Sequence, residues 1–497
     1  MLATLPPPLW PPVQARFAAL GAPFVQEVAP SPLPLPRLLH FNAALGAELG
    51  LDAAWSRSAA ALDRLAGNAA WPGYAPLASV YSGHQFGRWA GRLGDGRALL
   101  IAEIRNGHGQ GMELQLKGAG PTPYSRGADG RAVLRSSIRE YLCSEAMHAL
   151  GVPTTRALTL VASPLPVIRE SVETAAVVCR VAPSFVRFGH FEHYAQAGRV
   201  DALATLADHL IAAHHPELAG APDRHARWLG EVIAGTARMI AYWQTLGFCH
   251  GVMNTDNFSI LGLTLDYGPF GFMDAFRAHH VCNHSDHEGR YAYQAQPEIG
   301  QWNCARLLEA CLPLLDGEPD GAREKAQALH AIYRETYNDT VMARWRAKLG
   351  LREARERDAA LVNRLLALMQ ASRRDFTLGF RALAKIAVHD DAPAQEREHY
   401  ADAGAFDRWT QDYRERLRAE GADDDARAAR MNRVNPLYVL RNHLAQAAID
   451  QAQSGDSAEL TRLAAVLARP YDEQAGMQRY ALPPAPGAPC VDVGCSS

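Results

Sequence analysis

Lysine is scarce in this sequence. Of the 50 basic residues only four are lysines, at positions 117, 325, 348 and 385, and Lys117 stands alone in the first 324 residues. A chain that otherwise uses arginine is expected to keep a lysine where a compact ammonium is needed and a planar guanidinium does not fit. Lys117 is therefore a candidate for a specific charged contact, with chance as the alternative explanation.

The sequence also lacks the features of several protein classes. No apolar run approaches the roughly 20 residues that a membrane helix needs, and the first residues lack the basic and apolar regions of a signal peptide. A net charge of −3 provides no basic field for nucleic acid. Eight cysteines occur without a CxxC pair, which argues against a zinc ribbon or a thioredoxin motif. We therefore expect a cytoplasmic protein that binds neither membrane nor nucleic acid.

The composition that remains is typical of a globular protein. Apolar residues make up 48% of the 497 positions, and the length suggests about three structural units at roughly 150 residues each. Residues 1–75 are rich in Pro and Ala and are expected to wrap a larger domain. Patterns typical of strands dominate from there to about position 190, and patterns typical of helices dominate beyond it. The sequence thus predicts an α+β protein.

Glycines crowd one stretch, at positions 83, 87, 91, 94 and 96. A predicted strand (98–102) follows, and then a second one (112–117) in which apolar and polar residues alternate. A glycine-rich loop lets backbone N–H groups approach phosphate oxygens, and a lysine beyond it supplies positive charge. Taken alone, the glycines fit a turn-rich sheet better. Lys117, on the polar face of the second strand, favours the phosphate-binding interpretation.

Three further charged residues could act with Lys117. Glu140 lies in a predicted helix (135–147) and could pair with Lys117, as a helix carboxylate orients the nucleotide-binding lysine of protein kinases. Arg180 ends a predicted strand and Arg187 follows soon after, so both could bind phosphate oxygens through two nitrogens. For each of the three, an exposed position with a surface partner is the alternative.

The most informative segment is His250-Gly251-Val252-Met253-Asn254-Thr255-Asp256-Asn257, followed shortly by Asp266-Tyr267-Gly268. It follows a predicted helix (227–246) with Gly247 as C-cap. An amide and a carboxylate held close together can bind a hard divalent cation through oxygen ligands. His250 and Asn257 have the spacing of the protein-kinase catalytic loop, and Asp266-Tyr267-Gly268 stands in the place of D-F-G.

One residue departs from that kinase pattern. Val252 occupies the position of the kinase base, and valine cannot accept a proton. Asp256, beside Asn257, is the nearest carboxylate and hence the candidate base. A second metal ligand or a loop-capping residue is the alternative for Asp256. Residues 278–287 contain histidines and Cys282, but their spacing matches no zinc template, so a polar loop is preferred over a zinc site.

Assembled, these stretches resemble the selenoprotein O family, the YdiU-type protein adenylyltransferases. The resemblance extends from the region of Tyr81 to the last three residues. It rests on stretches that are specific in combination: Gly94-Asp95-Gly96-Arg97, Leu114-Gln115-Leu116-Lys117-Gly118, Arg135-Ser136-Ser137-Ile138-Arg139-Glu140, Gly251-Val252-Met253-Asn254-Thr255-Asp256-Asn257 and Leu265-Asp266-Tyr267-Gly268-Pro269-Phe270.

The resemblance implies a protein-kinase-like fold with two lobes and transfer of AMP from ATP. ATP would be inverted relative to kinases, so that its α-phosphate lies at the reacting position. The implied organisation is an N-terminal wrapping segment at 1–75, a β-rich N-lobe at 76–190, a helical C-lobe at 191–390, and a helical extension with a redox tail at 391–497.

The resemblance also implies residue roles. Lys117 and Glu140 would form an ion pair at the phosphates, Asn257 and Asp266 would hold Mg²⁺ or Mn²⁺, and Asp256 would be the proton acceptor. The remaining residues expected to contact the nucleotide are Gly94, Gly96, Arg97, Asp129, Gly130, Arg180 and Arg187.

The implied partners are proteins with accessible Ser, Thr or Tyr hydroxyls, with UMP as an alternative to AMP, and a monomer is expected. Some family members end in a selenocysteine where this chain has Cys495, and we hypothesise a regulatory disulfide between Cys495 and Cys282. Two other functions stay open at this point. They are transfer of the γ-phosphate, as in a kinase, and nucleotide binding by a scaffold without catalytic activity.

Overall fold

The computed structural model describes residues 13–489 except 52 and 391–393, together with residues 491, 493 and 494. The strands of this part are β1 (Val25–Glu27), β2 (Arg37–Phe41), β3 (Leu77–Ser79), β4 (His84–Gln85), β5 (Arg88–Trp89), β6 (Ala98–Arg105), β7 (Gly111–Lys117), β8 (Ala132–Val133), β9 (Arg156–Ile168), β10 (Val172–Ala182), β11 (Phe248–Cys249) and β12 (Gly271–Phe272).

The α-helices are α1 (Ala43–Glu48), α2 (Ala53–Ser56), α3 (Ala59–Ala66), α4 (Leu134–Ala149), α5 (Phe188–Gln196), α6 (Val200–His214), α7 (Arg224–Leu246), α8 (Gln296–Ala310), α9 (Leu312–Leu315), α10 (Pro319–Lys348), α11 (Asp358–Ser372), α12 (Phe376–Ala382), α13 (Ala403–Arg418), α14 (Asp424–Asn432), α15 (Asn442–Gln453) and α16 (Ala458–Leu467). This combination of an antiparallel sheet and many helices confirms the expected mixture of α and β structure. Among the described helices, none has both the length and the apolar character needed to cross a bilayer.

The main sheet has eight strands in the order β1-β3-β6-β7-β10-β9-β2, and β8 pairs with β10 as well. All its pairs are antiparallel, and β7 lies between β6 and β10. The register places Lys117 opposite Val178 and Gln115 opposite Arg180. Because side chains alternate between the two faces of a strand, Gln115 and Lys117 share one face of β7.

That polar face of β7 is buried. Glu113 and Gln115 are 4% and 2% exposed. The backbone N–H of Phe185 donates to the Glu113 carboxylate at 2.8 Å, and the Arg180 guanidinium donates to the Gln115 side-chain oxygen. The alternation in the sequence therefore separates an apolar core from a buried polar layer that leads to Lys117.

Helix α4 is largely buried. It packs on β9 and β10 and also on α15 and α16. Its middle residues, Arg139 and Glu140, are 3% and 4% exposed. Arg139 donates to the backbone oxygen of Phe270 at 2.8 Å. A charged residue in the middle of α4 therefore needs a partner inside the protein.

Helix α7 leads directly into the most informative segment of the sequence. It packs against α8 and α10. Gly247 ends it in the left-handed conformation, with φ at 68°, as the sequence predicts. The chain then forms the short strand β11, which pairs with β12. Residues 250–257 and 266–268 thus lie in the segment that connects the two strands of this short ribbon.

The C-terminal part differs from the sequence pattern at one helix start. The Asn435-Pro436 pair suggests a helix that begins at residue 437, but α15 begins at Asn442. The backbone N–H groups of Leu437 and Tyr438 bond the oxygen of Pro470 instead. Arg441, 1% exposed, pairs with Asp274 and Asp375. Because of these contacts with distant parts of the chain, α15 begins later in the sequence than the local pattern predicts.

A tight approach between α8, α7 and α10 gives a test of this packing. A Cβ atom on Gly300 in α8 would lie 2.2 Å from Ile240 Cδ1 and 2.4 Å from the Tyr333 hydroxyl oxygen. We expect Gly300→Ala to lower the free energy of unfolding by about 1–3 kcal/mol, because it overpacks a buried site. Urea denaturation measures the change.

Gly230→Ala in α7 is the matched control. Its added Cβ would meet no atom closer than 3.5 Å, and alanine favours a helix over glycine by up to about 1 kcal/mol. This variant should be as stable as the wild type or more so. Equal destabilisation by the two substitutions would contradict the close packing at Gly300.

Candidate active site

A cleft of about 680 Å³ opens beside the end of β7. Eleven of the twelve residues predicted for the site line it, and Glu140 lies behind them, bonded to Lys117. The eleven are Gly94, Gly96, Arg97, Lys117, Asp129, Gly130, Arg180, Arg187, Asp256, Asn257 and Asp266. These residues span more than 170 sequence positions, so the fold brings them together although the chain separates them.

Lys117 and Glu140 form a buried ion pair. The Lys117 Nζ atom donates to Glu140 Oε2 at 2.5 Å and lies 3.5 Å from Asp266 Oδ1. Burial lowers the pKa of Lys117, and the nearby charges of Glu140 and Asp266 oppose that effect. The alternative of an exposed surface position is therefore wrong for Glu140, which is 4% exposed.

Asp266 lies between two arginines. Arg180 bonds its Oδ1 atom and Arg187 bonds its Oδ2 atom. Both arginines are 2% exposed, so the surface alternative is wrong for them too. Burial alone would raise the pKa of Asp266, but the surrounding cations, Arg187 first, hold that pKa well below its usual range. Asp266 is therefore a carboxylate that stays ionised.

His250 connects the two halves of the motif. Its Nε2 atom donates to the backbone oxygen of Leu265 at 2.9 Å, and its ring stacks on Trp243 of α7 with centroids 5.1 Å apart. Asp266 follows with φ at 54°, which is uncommon for a residue with a side chain. The His250 bond fixes the chain immediately before this turn and so helps to present Asp266 to the cleft.

Asp256 is a buried carboxylate with one side-chain donor. Gln85 Nε2 donates to its Oδ2 atom at 3.2 Å, while Oδ1 is buried and accepts no hydrogen bond from the described residues. Burial raises the pKa of Asp256 to about 6, against the smaller opposing effects of Gln85 and Arg187. A carboxylate with a raised pKa and an unused acceptor atom is suited to take up a proton.

Asn257 and Asp266 provide an amide and a carboxylate in one cleft. The Asn257 Nδ2 atom donates to the backbone oxygen of Val252 at 3.0 Å, so its oxygen is the atom that can serve as a ligand. Mg²⁺ commonly takes one or two protein oxygens and completes its shell with phosphates and water. The two residues fit such a site, in which substrate supplies the remaining ligands.

A metal site whose ligands all come from the protein has no candidate among the described residues. Within the described residues, no three or more His, Cys, Asp and Glu side chains are grouped so that they could hold a metal ion. The zinc alternative for residues 278–287 therefore has no structural support. Cys282 is buried and its thiol donates to the backbone oxygen of Cys249. Cys495 lies outside the described residues, and its disulfide with Cys282 stays a hypothesis.

Glycines allow the backbone to approach closely at two points of the cleft wall. A Cβ atom on Gly94, where φ is 126°, would lie 2.5 Å from Tyr124 Cγ. On Gly130, with φ at 66°, it would lie 2.2 Å from the backbone of Gly120. Asp129, next to Gly130, is bound by Arg169 at 2.7 Å and is half exposed at the mouth of the cleft.

Positive charge dominates the cleft. Its described lining contains seven basic side chains and four acidic ones. Such an excess attracts a polyanion, and arginine binds phosphate oxygens through two nitrogens at once. A nucleotide triphosphate satisfies both conditions. The acidic residues among the lining are Asp95, Asp129, Asp256 and Asp266.

Several residues that line the cleft were not predicted from the sequence to belong to the site. Asp95 is 5% exposed, and its carboxylate accepts bonds from the backbone N–H and the hydroxyl of Ser79. Its position between Gly94 and Gly96 could have indicated it. Gln85, by contrast, gives no signal in the sequence. The other lining residues without a prediction include Arg126, Arg131, Arg169 and Asn254.

Comparison with known proteins adds an independent finding. A family model described as protein adenylyltransferase SelO matches residues 11–468. The chain belongs to the SelO family. It is 63% identical over 483 residues to the protein nucleotidyltransferase YdiU of Methylococcus capsulatus, covering 97% of this chain and 95% of that protein. The protein of the same description from Paraburkholderia xenovorans is 54% identical over 495 residues, covering 97% of this chain and 95% of that protein.

Membership of the SelO family confirms the resemblance seen in the sequence. It also confirms the expectation of an enzyme of the nucleotidyltransferase class. The roles of individual residues stay predictions, although the fold brings those residues to one cleft.

The position of Asp266 predicts a strong effect on stability. Asp266→Asn leaves Arg187 buried without its carboxylate partner, so we expect the free energy of unfolding at pH 7 to fall by about 2–4 kcal/mol. The folded pKa of Asp266 is depressed. Its contribution is therefore present above the unfolded pKa of about 3.9 and is lost as the pH falls through the folded value.

Urea denaturation at pH 7 and at decreasing pH measures this effect. The stability difference between wild type and Asp266→Asn should shrink in acid. Asp320→Asn, at a side chain that is 100% exposed on α10, is the control and should change stability little. A difference between wild type and Asp266→Asn that stays constant into strong acid would contradict the depressed pKa.

Proposed function

We propose that this SelO-family enzyme transfers AMP from ATP to Ser, Thr or Tyr hydroxyls of proteins in a metal-dependent reaction. The observation that carries the proposal is the shared cleft, in which the Lys117–Glu140 pair, Asp266 and Asp256 lie together. Family membership supports nucleotidyl transfer as the reaction class. The proteins named YdiU, which are described as protein nucleotidyltransferases, support proteins as acceptors.

The proposal includes a protein-kinase-like architecture. The sheet and α4 would correspond to the N-lobe at 76–190, and the helices α6–α12 to the C-lobe at 191–390, with α5 across the boundary between them. Residues 1–75 contribute β1 and β2 to the sheet, which supports a segment that wraps the N-lobe. The helices α13–α16 would form the extension at 391–497, and α15 and α16 pack on α4.

In the proposed reaction, a protein hydroxyl oxygen attacks the α-phosphorus of ATP. The new bond joins that oxygen to phosphorus, the bond from phosphorus to the bridging oxygen breaks, and pyrophosphate leaves. Asp256 takes the hydroxyl proton, because Val252 cannot. Its raised pKa of about 6 leaves it ionised at neutral pH, yet basic enough to accept a proton.

The cationic residues hold the triphosphate and its leaving group. Lys117 supplies a compact charge, fixed in place by Glu140. Arg180 and Arg187 present guanidinium groups whose present partner, Asp266, would be shared with a cation. Mg²⁺ or Mn²⁺ bound by Asn257 and Asp266 would neutralise charge on the phosphates. Gly94, Gly96, Arg97, Asp129 and Gly130 complete the proposed nucleotide contacts.

Labelled ATP tests the reaction class. The protein is incubated with divalent metal, a mixture of acceptor proteins, and ATP labelled at either the α- or the γ-phosphate. We expect label from the α-phosphate on protein, because AMP is the transferred group. UTP labelled at the α-phosphate tests UMP transfer in the same assay.

The controls of this assay separate the alternatives. Label from the γ-phosphate would support a kinase, and absence of both labels would support a nucleotide-binding scaffold. Asp266→Ala should abolish metal-dependent transfer, since it removes a proposed metal ligand. Activity retained by Asp266→Ala would refute the metal role of that residue.

Lys117 permits a second test with a matched control. Lys117→Ala should lose roughly 10²-fold or more in kcat/KM, the scale of removing one preorganised electrostatic partner. Lys117→Arg should not restore activity, because a planar guanidinium does not fit a buried site shaped for an ammonium. Lys325→Ala should retain activity, because Lys325 is a half-exposed residue of α10 that pairs with Asp316. Full activity of Lys117→Ala would remove the lysine from the mechanism.

A further inference from the structure

A small hairpin crosses from the sheet to the segment that carries Asp256. It consists of β4 and β5 and pairs with neither edge of the main sheet. The backbone N–H of His84 donates to the Thr255 hydroxyl at 2.7 Å. The N–H of Phe86 donates to the Asn254 side-chain oxygen at 3.0 Å and to the Tyr291 hydroxyl at 2.9 Å. The hairpin is therefore fixed to the residues immediately before Asp256.

The approach of the hairpin is close enough to require a glycine. A Cβ atom on Gly83 would lie 2.9 Å from the Thr255 hydroxyl oxygen and 3.2 Å from Asp256 Cβ. Phe86, at the turn, has φ at 48° and its ring packs on Tyr291 with centroids 5.0 Å apart. These contacts leave the hairpin little freedom to shift relative to Asp256, and they set the position of Gln85 between them.

Gln85 is the residue of the hairpin that touches the carboxylate. Its Nε2 atom donates to Asp256 Oδ2 at 3.2 Å. Arg187 bonds the backbone oxygen of Asp256 rather than its carboxylate. Within the described part of the chain, Gln85 thus supplies the side-chain hydrogen bond that orients the Asp256 carboxylate.

We propose that Gln85 is a positioning residue that holds the carboxylate of Asp256 in the orientation needed to accept the proton of the acceptor hydroxyl. This inference rests on the role proposed above for Asp256. A hydrogen bond to Oδ2 restrains rotation of the carboxylate and leaves Oδ1 as the free acceptor. Glutamine suits the task because its amide donates a bond but is neutral and does not compete for the proton.

The position of the hairpin explains why this donor comes from so far away in the sequence. The Thr255–Asn257 turn belongs to the part of the chain that follows α7, whereas Gln85 precedes β6. Alignment of the carboxylate therefore depends on a contact between two residues that lie 171 positions apart in the chain. Orientation of a reacting group contributes to the rate of the chemical step more than to the affinity for ATP.

Gln85→Met tests the proposal, because methionine has a similar length and no donor. We expect kcat for transfer of the α-phosphate label to fall about tenfold or more, the scale of one hydrogen bond to a charged group. The Kd for ATP, measured by calorimetry on the full chain, should stay within about twofold, since Gln85 is not one of the cationic residues. Gln85→Glu, of the same shape, should also lose activity, because two carboxylates repel each other.

Arg88→Gln is the matched control. Arg88 is exposed and lies opposite Gln85 in the same hairpin, so its substitution should leave both kcat and Kd unchanged. Thermal unfolding of each variant establishes that the chain is folded. A loss of kcat in folded Gln85→Met with unchanged Kd supports the positioning role. A merely structural contribution of Gln85 would not produce that result.

Two outcomes would overturn the inference while the proposed function stands. One is wild-type kcat in Gln85→Met. The other is a Kd for ATP that rises in proportion to the lost rate, which would make Gln85 a nucleotide contact. If the wild-type protein transfers only the γ-phosphate label, AMP transfer fails as the function, and the same variants are compared in that reaction. If the wild type transfers neither label, both proposals are overturned.

Discussion

The carboxylate of Asp266, bound on its two oxygens by Arg180 and Arg187, is the contact on which the rest of the site depends. Arg180 belongs to β10, and Arg187 precedes the first turn of α5. Lys117, at the end of β7, lies 3.5 Å from the same carboxylate. Side chains from β7, β10 and the start of α5 therefore converge on Asp266.

This convergence depends on strand register. Arg180 lies opposite Gln115, and Lys117 is two residues further along β7 on the same face. A shift of one residue would turn both polar side chains to the opposite face of the sheet and place apolar ones in the cleft. The pairing of β7 with β10 is thus a condition for the charged cluster. The apolar alternation of β7 enforces it, because the other face is core.

Burying charged side chains to this extent lowers the stability of the fold unless they are paired. In the observed arrangement the two negative charges of Asp266 and Glu140 offset part of the positive charge of Lys117, Arg180 and Arg187. In the function we propose, a triphosphate entering the cleft would bring negative charge to the same cations, and a divalent cation would bind the carboxylate. The same residues would then stabilise the protein without substrate and hold the phosphates with it, since one set of partners would replace another.

The sequence was sufficient for the local parts of this arrangement. The order of glycine-rich loop, strand, Lys117 and the helix with Glu140 follows from periodicity and composition, and the Gly247 helix end follows from glycine chemistry. Burial of the polar face of β7 could not be predicted, because it depends on the arginine that β10 contributes. The late start of α15 at Asn442 likewise depends on contacts with Pro470 and Asp375. In both places tertiary partners override a local pattern.

Gln85 illustrates the same limit at the site itself. The absence of a carboxylate at position 252 and the presence of one at position 256 are visible in the sequence, since both positions lie in one motif. The consequence for a residue about 170 positions earlier is not visible. A carboxylate on the short Thr255–Asn257 turn, four residues beyond the kinase position, meets the β4–β5 hairpin, which approaches that turn closely enough to need Gly83. In the reaction we propose, the base Asp256 would therefore be aligned by the β4–β5 hairpin, which lies outside its own sequence motif.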